Sequence, residues 1–524
     1  MEGGVVVRRF WQGVLSNCSR RLTTNMGCHI LVLAISGTLL PFQSTATVLD
    51  RRAAVDACLA ELNVPIYASN TTTYAQAVKP FNIRVSFTPA AYAVPATVED
   101  VQNAVSCGAK NAIRVSAKSG GHSYASHGLG GENGHLVLDM RNFNTVSVDQ
   151  AAQTAVIGTG NRLGNVATAL YKQGKQAISH GTCPGVGVGG LSLHGGYGMS
   201  SRTRGLTLDN VVEATVVLAN SSVVTASTSK NPDLFWALRG AGAAFGIVTN
   251  FKFKTFTAPE ANIVFEYSVT PSNASHLSSI LSVLQDFSLN TQPTELNMRF
   301  TLAPFGTTLS GVYYGTNATF NETMTPLLQK LSINPAGSRG RPTNSTKNWI
   351  DTLTTYAYAQ LEQPAVYTAQ ENFFAKSLMP ESLSTPALDA LSAYWYSTAR
   401  SINRAWYLMI DLHSGAHSAI SAVSKDATSY AHRNAVFKMQ FYDRVYGGSY
   451  DNKWQSFLNG WVDAILKASG PEEKHTMYIN YADTSLTSEE AHRRYWGGNY
   501  EKLVRVKKSV DPGNVFGGPQ IVVP

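Results

Sequence analysis

Long apolar runs are nearly absent from this 524-residue chain. The one that stands out, HILVLAISGTLLPF at 29–42, is too short and too soon ended by proline to span a bilayer, so no membrane partner is expected. Metal-site spacings are missing too: four histidines at 122, 127, 180 and 194 carry neither H-E-x-x-H nor a nearby C-x-x-C, and no metal is expected. Charge is low at 15% of residues, and part of the net +8 comes from Arg8, Arg9, Arg20 and Arg21 near the start. No Lys/Arg stripe interleaved with aromatics follows, so a nucleic-acid partner is not expected. There is no internal repeat and no low-complexity tract.

Cysteine is scarce, at positions 18, 28, 58, 107 and 183. The apolar run, the basic residues before it and the small residues Ser44, Thr45 and Ala46 after it read as a secretory leader. Met26 is an alternative start, and cleavage near Ala46 or after Arg51–Arg52 is open. Secretion is expected, and the sequons at Asn70, Asn220, Asn273, Asn317, Asn321 and Asn344 agree with it. Without the leader three cysteines remain. Cys58 and Cys107 can pair in an oxidising compartment, which leaves Cys183 odd.

What the chain has in abundance is glycine, in two clusters: VSAKSGGHSYASHGLGG at 115–131 and SHGTCPGVGVGGLSLHGGYG at 179–198. G-x-G-x-x-G occurs at Gly185, Gly187 and Gly190. It lacks the preceding hydrophobic strand of a Rossmann turn, and Pro184 sits in its place. Glycine at this density instead lets backbone N–H groups approach a flat or phosphorylated ligand. A Cys183–His122 nucleophilic dyad is an alternative, but no helix N-terminus is evident to activate the thiol.

Periodicity outlines an α+β chain. A helix is expected over Val98–Lys110, capped by Thr97, with strands at 135–140, 144–149 and 154–160, a helix at 162–174 and a hairpin at 211–227. After Ala258–Pro259 come long strands alternating with helices: NIVFEYSVT, HLSSILSVLQDFSL, ELNMRFTLAP, LSGVYYGT and TMTPLLQKL, then strands near 406–413 and 437–442.

Taken together, RVSAKSGGHSYASHGLGGENGHLVLDM, SHGTCPGVGVGGLSLHGGYGMSSRTRGLTLDNVVEATVVLA, DLFWALRGAGAAFGIVTNFKF, INYADTSL and DPGNVFGGPQ resemble the FAD-linked oxidases of the vanillyl-alcohol-oxidase type. Within these they are most similar to the berberine-bridge-enzyme-like group and its secreted fungal gluco- and chito-oligosaccharide oxidases. The resemblance implies a two-lobed FAD-binding domain of the PCMH type plus a substrate domain with an antiparallel sheet backed by helices. Its boundaries are a leader at 1–52, the FAD-binding domain at 53–258, the substrate domain at 259–475 and a C-terminal return at 476–524.

The resemblance also implies FAD bonded covalently to His122 and Cys183, which would explain the odd thiol. The cofactor would be cradled by Ser119, Gly120, Gly121, Ser123, Gly185, Val186, Gly187, Gly189, Gly190, Gly196, Gly246, Val248 and Asn480. Tyr481, in N-Y-A-D, matches the base, and Asp411 an aspartate that hydrogen-bonds it and takes its proton. Tyr124 and Gln440 match substrate contacts. Met409 and Phe374 depart from the glutamine and tyrosine expected there and make the cleft more apolar. Cys58–Cys107 matches a disulfide. Val186 matches a residue that, as valine, goes with O2 as acceptor. The expected activity is oxidation of an oligosaccharide's reducing-end C1 hydroxyl by a monomer. A berberine-bridge-like oxidase of a small aromatic or alkaloid-like metabolite is the alternative, and a flavin-bearing binder without turnover the other.

Overall fold

The computed structural model describes residues 45–334, 344–470 and 475–524. The apolar run at 29–42 lies outside them, and Ala46–Pro524 form one compact unit. Among the described residues no helix is long and apolar enough to cross a membrane. No group of three or more His, Cys, Asp or Glu side chains among them could hold a metal ion.

The first helix, Thr45–Glu61, runs through the expected leader boundary at residue 52 and carries Cys58 to its disulfide partner Cys107. Cys107 sits on helix Val98–Lys110. There Thr97 accepts from the Asp100 N–H and the Asp100 carboxylate accepts from the Thr97 N–H, a reciprocal cap that satisfies two end groups. The helix flanks a small parallel sheet of Ala91–Ala93, Leu136–Asp139 and Val115–Lys118. The SGGHS loop leaves the end of Val115–Lys118. A five-stranded antiparallel sheet follows, in the order Val146–Asp149, Thr154–Gly158, Ile247–Lys254, Val211–Val217, Val223–Ser227. The second glycine cluster does open a helix, Val188–His194, but a short one that leads into no parallel strand pair.

Beyond residue 258 an eight-stranded antiparallel sheet dominates. Its order is Asn344–Lys347, Asn262–Val269, Gly306–Tyr313, Leu296–Ala303, Ala405–Leu412, Phe437–Val445, Asn372–Pro380, His475–Thr476. Helices Ala274–Asn290, Thr385–Ser397 and Gln455–Ser469 pack together against one face. Side chains alternate along each strand, so Trp406, Leu408, Ile410, Phe437, Met439 and Phe441 fill the core against those helices. Their neighbours in sequence, Tyr407, Met409, Asp411, Lys438 and Gln440, stand on the other face.

The strand Asn372–Pro380 is buried at every residue. A strand covered on both faces has no polar alternation, and nothing in its period distinguishes it from other apolar segments.

Candidate active site

The two glycine clusters meet. Gly120 and Gly187 pack backbone against backbone so closely that a Cβ on either would fall onto the other's main chain. Ser119 Oγ stitches the contact, donating to the Thr159 carbonyl at 2.6 Å and accepting from the Gly189 N–H at 3.2 Å. Arg162 Nη1 donates to the carbonyls of both loops, Gly120 at 2.8 Å and Gly185. Only glycine permits this approach, and its result is that His122 Nε2 lies 3.8 Å from Cys183 Sγ.

His122 stacks on Phe81 with ring centroids 3.5 Å apart. Burial, and then the Arg162 charge, lower its pKa to about 3, so the imidazole is neutral at ordinary pH and keeps a free lone pair. Burial pushes the Cys183 thiol up, although its side chain remains open to the cavity.

These residues line a cavity of about 370 Å³. Ser119, Gly120, Gly121, Ser123, Tyr124, Val186, Gly187, Gly189, Gly190, Gly246, Val248 and Asn480 are all on its wall. A Cβ at Gly190 would meet open space, while His194 Nε2 and Tyr197 Oη are buried polar atoms without a partner. A glycine-lined cavity with unpartnered polar atoms at its wall fits a flat, polar-edged cofactor, because buried polar groups otherwise find hydrogen bonds.

Two glycines expected in this wall are not in it. Gly185 lies beneath the Tyr367 ring, with its carbonyl held by Arg162. Gly196 packs against Thr207, and its N–H donates to Tyr478 Oη at 2.9 Å. Both shape the loop from behind.

The eight-stranded sheet supplies the opposite wall. Register pairs Arg299 with Asp411 and Asp411 with Lys438, and one step along it pairs Met409 with Gln440. Each row therefore points into the same space. Gln440 Nε2 donates to Tyr124 Oη at 2.7 Å. The Tyr124 ring stacks on Tyr481 at 5.6 Å and 19°. Tyr407, Met409 and Arg299 complete this end.

Asp411 departs from expectation: it does not hydrogen-bond Tyr481. Its carboxylate is taken by Arg299 Nε at 2.6 Å and Lys438 Nζ at 2.5 Å. Lys438 in turn donates to the Tyr481 hydroxyl at 2.9 Å. Burial opposes the charge on Asp411, but Arg299 and Lys438 override it and hold the carboxyl below the usual range. For Lys438 burial again opposes, and Asp411 carries the ammonium's pKa above its ordinary value. Lys438 is the residue that sequence reasoning missed; the available signal was a lysine inside the apolar strand FKMQF.

Phe374 is the second departure. It is fully buried in the core on the helix-covered face. Strand parity turns Phe373 the other way, against Tyr124 and Tyr442 with centroids at 4.7 and 4.4 Å. Of the two apolar replacements in the cleft, only Met409 faces the cavity.

With this geometry the comparisons agree. A model described as an FAD binding domain matches residues 89–227, and one described as berberine and berberine like matches 477–522. The chain belongs to this family of FAD-dependent oxidoreductases. It is 42% identical over 503 residues to the xylooligosaccharide oxidase of Thermothelomyces thermophilus, covering 95% of this chain and 99% of the relative. It is 40% identical to the glucooligosaccharide oxidase of Sarocladium strictum, over 91% and 96% of the two chains. The xylooligosaccharide oxidase from Myceliophthora thermophila C1, solved in complex with xylobiose, superposes with TM-score 0.87 at 43% identity over 90% of this chain and 99% of that one. A glucooligosaccharide oxidase from Acremonium strictum with a 6-S-cysteinyl, 8α-N1-histidyl FAD gives 0.85 at 40% over 90% and 99%.

Proposed function

We propose that this chain is a secreted oxidase that holds FAD through His122 and Cys183 and converts the reducing-end C1 hydroxyl of an oligosaccharide to the lactone. Residues 53–258 and 476–524 would hold the flavin and 259–475 the substrate. The observation that carries the reading is the hydrogen bond from Lys438 to the Tyr481 hydroxyl at the cavity. A free tyrosine, with a pKa near 10, is a poor base at neutral pH. Lys438 sets a positive charge beside that oxygen.

Tyr481 takes the proton of the C1 hydroxyl, while Lys438 holds the negative charge, itself held by Asp411. Gln440 and Tyr124 fix each other beside it and present amide and hydroxyl groups to sugar oxygens. Tyr407 and Met409 offer an apolar surface for a sugar face. FAD held there would supply the two-electron chemistry of the C1–H oxidation, with O2 as the acceptor and hydrogen peroxide as the product. His122 and Cys183, with Nε2 and Sγ 3.8 Å apart, would hold the flavin as a double tether. Val186, which goes with O2 as acceptor in this reading, lines the same cavity.

Met409 and the aromatic cluster also suit an aromatic or alkaloid-like metabolite, which is the second reading. Peroxide release from a panel of cello-, xylo-, malto- and chito-oligosaccharides and aromatic alcohols separates the two. A reducing sugar is expected to give peroxide and the aromatic alcohols none.

A further inference from the structure

His122 follows Gly120 and Gly121, and Gly121 has φ +69°. Glycine takes either hand of the backbone at little cost, so it does not by itself fix where the next side chain points. Rotation of an imidazole about χ2 is broad as well. Among the described residues the ring's one side-chain polar contact is with Cys183. The plane of the ring must therefore be set by something else.

Phe81 lies face to face with it, with centroids 3.5 Å apart and 21° between the planes. The Tyr367 ring is farther off, at 6.2 Å and tilted by 42°. Phe81 is itself fixed from the eight-stranded sheet. Its carbonyl accepts from the Glu371 N–H at 2.7 Å, and the Ile83 N–H donates to the Glu371 carbonyl at 2.9 Å. Its ring packs on Phe373 at 5.8 Å, in a cluster with Ala375 and Tyr442. Asn82, which is buried, binds the same strand to the loop just past His122. Its Nδ2 donates to the Tyr124 carbonyl at 2.8 Å, and its Oδ1 accepts from the Phe373 N–H at 3.4 Å.

We propose that Phe81 is the positioning residue of the His122 attachment, so that the strand Asn372–Pro380 sets one of the two flavin tethers. The inference rests on the double-tether reading above. The nitrogen lone pair that forms the bond lies in the plane of the imidazole, and a turn of the ring aims it away from its target. A thiol sulfur has no ring plane to hold, so attachment at Cys183 does not depend on Phe81. Attachment at His122 breaks one C–H bond of a flavin methyl group and one N–H bond of the ring and forms a C–N bond. The two electrons and two protons released go to O2 and give hydrogen peroxide.

The test crosses Phe81→Leu with the two single-tether proteins, Cys183→Ala and His122→Ala, each expressed with FAD. The readout is the fraction of acid-precipitated protein whose intact mass includes the flavin. Phe81→Leu is expected to lower that fraction by about tenfold or more in Cys183→Ala and to leave it unchanged in His122→Ala. Phe81→Tyr, which keeps the ring face, is expected to retain the His122 attachment. Equal loss in both backgrounds, or loss in neither, overturns the proposal and leaves the double tether standing. If Cys183→Ala alone releases its flavin in acid, the His122 tether falls and the proposal with it. Should Phe81→Leu not fold, the same comparison with Phe81→Met decides.

Discussion

Lys438 Nζ stands 2.9 Å from the Tyr481 hydroxyl and 2.5 Å from the Asp411 carboxylate, with no solvent access to the ammonium. The lysine thus joins two groups that are not hydrogen-bonded to each other. It also lies 4.5 Å from the Tyr481 ring centroid and 4.6 Å from that of Tyr197. A cation fixed by a carboxylate and enclosed by aromatic faces is held where it can stabilise a phenolate.

Replacing Lys438 with methionine removes the donor to the Tyr481 hydroxyl and is expected to lower kcat by about 10²-fold or more, the range of general-base effects, with KM little changed. Tyr481→Phe is expected to lose activity altogether. Steady-state rates of the two variants check this. An unchanged kcat in Lys438→Met would mean that the lysine is structural only.

The proposed double attachment of the flavin has its own signature. Cys183→Ala and His122→Ala are each expected to retain yellow colour in the acid-precipitated pellet, because one bond suffices. The double variant is expected to release it. Colour lost in either single variant would show that only one tether exists.

Buried histidines make the fold sensitive to acid. Burial lowers His127 and His194 to about 4 and His432 to about 3, against about 6.5 in an unfolded chain. Between these values the unfolded state binds protons that the folded state refuses. Stability is therefore full above pH 6.5 and falls as pH drops toward 4. The slope reaches up to about 1.4 kcal/mol per pH unit for each histidine. Melting temperatures at pH 7, 6 and 5 should decline, and His432→Gln should make the decline shallower.

Phe374 offers a control on the cleft. Its side chain is core, so Phe374→Ala is expected to cost about 3–5 kcal/mol of stability. KM for sugar should stay unchanged in protein kept below its melting point. Met409→Gln should do the reverse, altering KM with little change in melting temperature.

Much of this arrangement was legible in the residues. The two glycine clusters, the cap at Thr97 and the long strands after residue 258 follow from local chemistry that the chain states openly. The strand at 372–380 does not, because burial on both faces erases its period. The resemblance put Phe374 in the cleft, but strand parity turns it into the core and gives the cleft side to Phe373. The Tyr481–Lys438–Asp411 chain was half visible. A motif marks Tyr481, but the lysine is brought in by strand pairing across more than twenty residues, and only the register of Asp411 with Lys438 reveals it.

The most direct test of the central claim is an anaerobic titration of the flavin-loaded protein with a reducing oligosaccharide and with its borohydride-reduced alditol, following the flavin's yellow absorbance. Bleaching is expected with the reducing sugar, none with the alditol, and recovery of colour on admitting air. Bleaching with both sugars, or with neither, would contradict it.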